Sequence, residues 1–103
     1  MSYIGDVYRK QGDYSKALSL YRQTLEIYRN FYSPLHPELA DVLNNLGMLL
    51  KKLGLYVEAL SVLNEALEII SQVYGNKHYK YALYLNNIAD IHRKVSLFYD
   101  EYD

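Results

Sequence analysis

Two stretches of this sequence decide the fold: GDYSKAL at residues 12–18 and GLYVEAL at residues 54–60. Both begin with glycine, carry tyrosine at the third position and end in Ala-Leu, and they lie about 42 residues apart. The same offset aligns LHPELADVLNN (35–45) with KHYKYALYLNN (77–87). Roughly 15 of about 42 positions are identical, far more than shared composition produces. The chain is therefore internally repeated.

Each half of a repeat has the apolar spacing of an amphipathic helix, with a period of three to four residues. The positions are Ala17, Leu18, Tyr21, Leu25 and Tyr28 in one half, and Ala40, Leu43, Leu46, Gly47 and Leu50 in the next. This pattern predicts helices near residues 2–11, 14–31, 37–53, 56–74 and 79–95, with a sixth beginning near Phe98.

The helix ends are predicted from residues with special backbone preferences. Gly12 and Gly54 stand where a helix should stop, because glycine adopts the left-handed C-terminal cap without steric cost. Pro37 should open a helix, since proline is tolerated in the first turn, and His36 before it is the expected N-cap residue.

These elements predict an all-α fold, an α-solenoid of antiparallel helix pairs. It holds about two and a half repeats, with five helices and the start of a sixth, and is expected to be a fragment of a larger protein. The single array divides into a partial repeat at 1–31, a repeat at 37–74 and a partial repeat at 79–103. Gly47, Ala59 and Ala89 are expected on core faces, where small residues let helices approach. His92 is expected to be a partly buried packing residue.

Composition limits the classes of function. Half of the 103 residues are apolar, enough for a core, and the net charge of -1 lacks the basic excess that nucleic-acid binding requires. Cysteine is absent, so a disulfide framework and thiolate metal sites are excluded, and a reducing, cytoplasmic location is predicted. No apolar run approaches the roughly 20 residues that span a bilayer, so no membrane partner is expected.

The repeat resembles a known family in its small and apolar positions. The run Ala40-x-x-Leu43-Asn44-Asn45-Leu46-Gly47, then Gly54-x-Tyr56-x-x-Ala59-Leu60 and Ala66-Leu67-Glu68-Ile69, closely resembles a tetratricopeptide repeat (TPR). The longer period, the doubled asparagine and the Tyr74-Gly75-x-x-His78 linker are similar to the kinesin light chain subclass, which nephrocystin-like proteins share. The resemblance implies a TPR superhelix, a protein-binding scaffold whose first helix in each repeat lines a concave groove.

No constellation for catalysis is found. The sequence shows no nucleophile beside a base, no paired carboxylates in a cleft and no set of metal ligands. His36 and His78 occupy equivalent linker positions, which repetition explains better than a metal site. We therefore expect neither an enzyme nor a cofactor.

Doubled asparagines on the first helices are the main candidate binding residues. Asparagine is a mediocre helix former, yet it recurs as Asn44, Asn45, Asn86 and Asn87. An amide offers two donors and one acceptor, so a series of amides can grip an extended peptide backbone. Alternatively, one amide of each pair bonds to the neighbouring helix and fixes the repeat geometry. We expect Asn45 and Asn87 to face the ligand and Asn44 and Asn86 to be structural.

Basic pairs recur at one-repeat spacing farther along the same helices: Arg9-Lys10, Lys51-Lys52 and Arg93-Lys94. Stacked repeats would place them along one rim of the groove, which favours an acidic ligand. Alternatively, the negative end of each helix dipole explains them. Asp6 and Asp90 are expected on the same surface, where they would partly cancel the field.

The sequence thus predicts a scaffold that captures an extended, acidic peptide with aromatic character, as the resemblance to kinesin light chain implies. Two alternatives remain. The terminal helices could expose apolar faces that pair with another copy, giving a homo-oligomer. The acidic, aromatic tail FYDEYD (98–103) could instead occupy the groove as a mimic of the ligand.

Overall fold

The computed structural model describes residues 13–102, with side chains through residue 96. Four helices and no strand occur in this range: α1 (Tyr14–Phe31), α2 (Pro37–Lys52), α3 (Tyr56–Tyr74) and α4 (Tyr79–Tyr102). The predicted bounds of α1 and α3 are confirmed, and α2 ends one residue earlier than expected. The helix predicted at 2–11 and the stop at Gly12 lie outside the described residues.

Local side chains fix the starts of α2 and α4. The backbone N–H of Glu38 donates to Nδ1 of His36 at 3.1 Å, which confirms His36 as the N-cap ahead of Pro37. His78 accepts from the N–H of Lys80 at the same distance. Each histidine stacks on the tyrosine four residues before it, with ring centroids 4.0 Å apart at Tyr32 and 4.3 Å apart at Tyr74. The histidines thus have a capping role that repetition preserves.

The expected sixth helix is wrong, because α4 continues without a break from Tyr79 to Tyr102. At the end of α2, Gly54 has φ of 77°, and Leu55 N–H bonds back to the Leu50 carbonyl at 2.9 Å. In the repeat register Ser96 replaces this glycine. A left-handed conformation costs a non-glycine residue roughly 1–2 kcal/mol, so the helix runs on instead of turning.

The helices form two layers. In chain order each helix packs against the next, and α2 also contacts α4, so α1 and α3 form one layer and α2 and α4 the other. This arrangement fits an α-solenoid of helix pairs. The core between the layers has two clusters of buried residues: one comprises Ala17, Tyr21, Leu46, Leu49, Leu50, Ala59, Leu63, Ile88 and Ile91, and the other Leu39, Ala40, Leu43, Ala66, Ile69, Ile70 and Tyr84.

Small residues allow close packing at α2 and α3 but not at α4. A Cβ on Gly47 would lie 2.5 Å from Cγ of Leu63, and Ala59 is fully buried, as expected. Ala89 and His92 are exposed, contrary to expectation. Their register equivalents on α2 face α3, whereas no helix among the described residues covers this face of α4.

Candidate functional site

A series of polar contacts joins α2 to α4, and we call it the polar ladder. It has three rungs that follow both helices in the same direction, so α2 and α4 lie parallel. Its members are Asp41, Asn44 and Lys51 on α2, and Lys80, Tyr84, Asn87, Asp90 and Arg93 on α4.

The first rung centres on Asp41. Its two carboxylate oxygens accept hydrogen bonds from Lys80 Nζ at 3.0 and 3.1 Å, and Tyr84 also donates its hydroxyl to Asp41. Burial, followed by this hydrogen bond, raises the pKa of Tyr84 well above its usual range. Burial lowers the pKa of Lys80, but the hydrogen bond and charge of Asp41 outweigh it, so the net shift is upward. The rung therefore holds a neutral phenol beside a carboxylate and an ammonium ion.

The second rung is an amide pair. Asn87 Nδ2 donates to Asn44 Oδ1 at 2.9 Å, and Asn87 is only 9% exposed. Asn44 thus bonds across to the neighbouring helix, as expected for the structural member of its pair. Asn87 is expected to face a ligand. In the structure its side chain lies between α2 and α4, because the Asn44 amide is opposite it on α2.

The third rung centres on Asp90. Lys51 Nζ lies 2.9 Å from one carboxylate oxygen, and Arg93 Nη2 lies 2.6 Å from the other. The hydrogen bond from Arg93, followed by that from Lys51, lowers the pKa of Asp90 to about 2. The Lys51 side chain is only 15% exposed, so half of one predicted basic pair is engaged within the fold. Asp90 is thus the counter-ion of these two cations.

Beside the ladder runs a row of accessible side chains, which we call the accessible stripe. It comprises Asn45, Met48 and Lys52 on α2 and Leu83 and Lys94 on α4. On α2 these residues follow Asp41 at steps of four, three and four, so they share one helix face. Asn45 and Met48 are half-buried, and Lys52 and Lys94 are exposed without an ion pair to any described residue. Leu83 is 48% exposed.

The remaining predicted residues lie elsewhere. Asn86 is exposed on the face of α4 that points away from α2, and it forms no hydrogen bond with the described part of the chain. Arg9 and Lys10 lie outside the described residues. Asn45, Lys52 and Lys94 are thus accessible in the structure, whereas Asn44, Asn87, Lys51 and Arg93 form the ladder.

Equivalent positions of the repeat do not point to Asp41, Lys80 and Tyr84. Residues that pair across α2 and α4 are not equivalent: Asp41 and Lys80 are 39 residues apart, and so are Lys51 and Asp90. The sequence signal for both pairs is a set of opposite charges at an offset three residues shorter than the repeat.

Among residues 13–96, whose side chains are described, no group of three or more His, Asp or Glu residues is placed to hold a metal ion. No helix in the same range is long and apolar enough to cross a membrane.

Comparison with known proteins identifies the architecture. The tetratricopeptide repeat model matches residues 1–69 and, overlapping, 38–96. The crystal structure of BtubC (BKLC) from P. vanneervenii is similar with a TM-score of 0.86 at 26% sequence identity. The alignment covers 90% of this chain but 37% of the BtubC chain, so the present chain spans well under half of that protein. A search of curated protein sequences gave no significant match.

The family model covers nearly the whole chain, and the solved structure reproduces the packing of its helix pairs. The chain belongs to the tetratricopeptide repeat family, with repeats of the kinesin light chain type.

Proposed function

We propose that this chain is a scaffold module that binds an extended, acidic peptide with aromatic character along the accessible stripe. Tetratricopeptide repeats generally mediate protein–protein interaction and are typically non-catalytic. The proposal rests on the coincidence of a half-buried amide, an exposed leucine and two exposed lysines that have no ion pair with a described residue. These side chains lie beside a ladder that holds α2 and α4 in place.

The charge of this surface supports an acidic ligand. Asp41 and Asp90 each contact cations of the ladder, and together these three cations exceed the two carboxylates by one charge. Lys52 and Lys94 add two exposed positive charges. Each exposed pair with a ligand carboxylate contributes only about 0.2–1 kcal/mol, so we expect weak to moderate affinity.

Hydrogen bonding and apolar contact supply the remaining recognition. The Asn45 amide, which has no bond to another described residue, can donate to or accept from a peptide backbone, at about 1 kcal/mol net per bond. Leu83 and Met48 are apolar members of the stripe, and either can contact an aromatic side chain of the ligand. Asn44 and Asn87 contribute indirectly, because they fix the distance between the helices that carry the stripe.

The test is peptide binding to charge-reversal variants of the full chain. The probe is a fluorescein-labelled acidic heptapeptide with one central tyrosine, compared with a heptapeptide in which lysine replaces each acid. We expect Lys52→Glu to weaken binding of the acidic probe about two- to fivefold or more, measured by fluorescence anisotropy.

The matched control is Lys77→Glu, which makes the same change in net charge at an exposed lysine in the α3–α4 linker. It should leave affinity unchanged apart from a small, salt-sensitive effect. If the two variants have equal effects, or if the acidic and basic probes bind equally, the proposed binding of an acidic peptide along the accessible stripe is wrong.

A second candidate function is assembly, favoured by the face of α4 that no described helix covers. Leu85 is 45% exposed there, beside the exposed Ala82 and Ala89. An apolar helix face of this kind can pair with another copy of the chain. Sedimentation at high concentration should then show a dimer that Leu85→Glu dissociates, and a monomer throughout would exclude assembly.

A further inference from the structure

A recess lies between α1 and α3, in the layer that does not carry the polar ladder. Its volume is about 280 Å³. The apolar floor consists of Leu25, Val62 and the core residue Leu46, which is 3% exposed. Arg22, Glu26 and Glu58 line the rim.

Two ion pairs bound the recess. Arg22 Nη2 lies 2.5 Å from Glu58 Oε1, and Arg29 forms two hydrogen bonds with Glu65, at 2.7 and 2.9 Å. The pairs are seven residues apart on each helix, about 10 Å along the axis. Long side chains thus bridge α1 and α3, whose backbones do not pack closely, and the space between the bridges stays open.

The charges around the recess do not balance. Its two guanidinium groups are each engaged by a glutamate, whereas Glu26 is exposed and forms no ion pair with a described residue. Counting Arg22 and Arg29 against Glu26, Glu58 and Glu65 leaves one excess negative charge beside an apolar floor. An apolar floor with one excess negative charge beside it favours an apolar side chain that has a positively charged neighbour.

We propose that the recess receives one apolar side chain of a partner protein, with an adjacent lysine or arginine that pairs with Glu26. The volume is slightly below the roughly 300–1,000 Å³ of pockets that hold drug-sized ligands, which favours a single side chain over a whole small molecule. A buried anchor surrounded by a polar rim is a common form of interface hot spot. This surface is separate from the accessible stripe, so the proposal does not depend on the proposed function.

The repeat provides an internal comparison. On α3 the equivalents of Arg22, Glu26 and Arg29 are Asn64, Glu68 and Ser71, so the bridging guanidinium groups are missing there. Glu68 is also engaged, since it accepts a hydrogen bond from Gln72 Nε2 at 2.6 Å. A recess of about 220 Å³ lies beside Asn64, Glu68 and Ser71, and it should therefore not select the same side chains.

The probes are three blocked dipeptides: acetyl-Phe-Lys-amide, acetyl-Phe-Glu-amide and acetyl-Ala-Lys-amide. They are titrated into the ¹⁵N-labelled full chain, and the amide signals of Leu25, Glu26 and Val62 are followed. We expect saturable shifts with the Phe-Lys probe and about three- to tenfold weaker binding of the other two probes. The glutamate of the Phe-Glu probe repels Glu26, and the Ala-Lys probe lacks the aromatic ring. Glu26→Gln should weaken Phe-Lys binding about two- to fivefold, and Glu68→Gln should leave it unchanged.

Shifts that do not saturate, or that are equal for all three probes, would overturn the proposal. Equal affinity of the Glu26→Gln and Glu68→Gln variants would also refute it, since both remove one exposed acid from equivalent positions. Neither outcome would bear on the accessible stripe, which is tested with a different peptide.

Discussion

Replacing Gly47 with alanine should destabilise the protein, although the same exchange stabilises most helices. Inside a helix alanine is normally favoured over glycine by about 0.8–1.0 kcal/mol. At position 47, however, a Cβ would lie 2.5 Å from Cγ and 2.6 Å from Cδ2 of Leu63. Leu63 is fully buried, so it cannot swing into solvent to relieve the overlap.

The overlap should outweigh the gain in helix propensity. Overpacking a core typically costs about 1–3 kcal/mol, which leaves a net destabilisation of roughly 1 kcal/mol for Gly47→Ala. Urea unfolding followed by circular dichroism measures this free energy. A variant that is more stable than the parent by about 0.5 kcal/mol or more would refute the packing argument, because propensity would then dominate.

Two further variants separate packing from propensity. Ala89→Gly makes the reverse exchange at the equivalent position on α4, where the residue is exposed, and should lose about 1 kcal/mol through propensity alone. Leu63→Ala should lower the free energy of unfolding by about 2–5 kcal/mol in the parent chain. In the Gly47→Ala background the loss should be smaller, because the methyl group of the new alanine enters the space that leucine leaves. Strict additivity of the two changes would contradict direct contact between the sites.

Three other changes test the ladder and the helix end. Asn44→Ala should lower the free energy of unfolding, measured in urea, by about 1–3 kcal/mol, because it leaves the amide of Asn87 buried without its partner. Asn45→Ala should change this free energy little. The pKa of Asp90 in the folded state is about 2, below the ordinary value of roughly 3.9. The ionised form of Asp90 therefore stabilises the fold above about pH 4, and this contribution is lost as the pH falls towards 2. Asp90→Asn should remove that part of the acid sensitivity, seen as a flatter dependence of the urea midpoint on pH. Ser96→Gly restores the helix-stopping residue and should shorten α4, which Cα chemical shifts after residue 96 would reveal; unchanged helical shifts would contradict this explanation.

Much of the fold could be predicted because it depends on local chemistry. Three helices, α1 to α3, begin and end within one residue of their predicted positions. At α2 the reason is local, because His36 and Pro37 act on the backbone at its start and Gly54 acts just after its end. The error at the sixth helix is also local. Ser96 occupies the glycine position, so weighting that substitution would have predicted a continuous α4.

The candidate site was less predictable, because equivalent residues in a repeat need not have equivalent neighbours. Asn45 and Asn87 match in sequence, but Asn45 is half-buried and makes no hydrogen bond to another described residue, while Asn87 is bonded to Asn44. Lys51 and Lys52 are adjacent, yet only Lys51 points towards Asp90. A rotation of about 100° per residue separates the two side chains around the helix.

The sequence by itself determined the period, the helix pairs and the family, because each follows from the order of residues along one chain. Only the tertiary structure decided which polar groups are available to a partner. It brought the Lys51 ammonium to Asp90 and the Asn87 amide to Asn44, and it left Lys52 and Asn45 accessible. It also formed a recess between α1 and α3, which the ion pairs of Arg22 and Arg29 bridge. Those outcomes depend on which side chains meet between packed helices and on the spacing of those helices, which are properties of contacts distant in sequence.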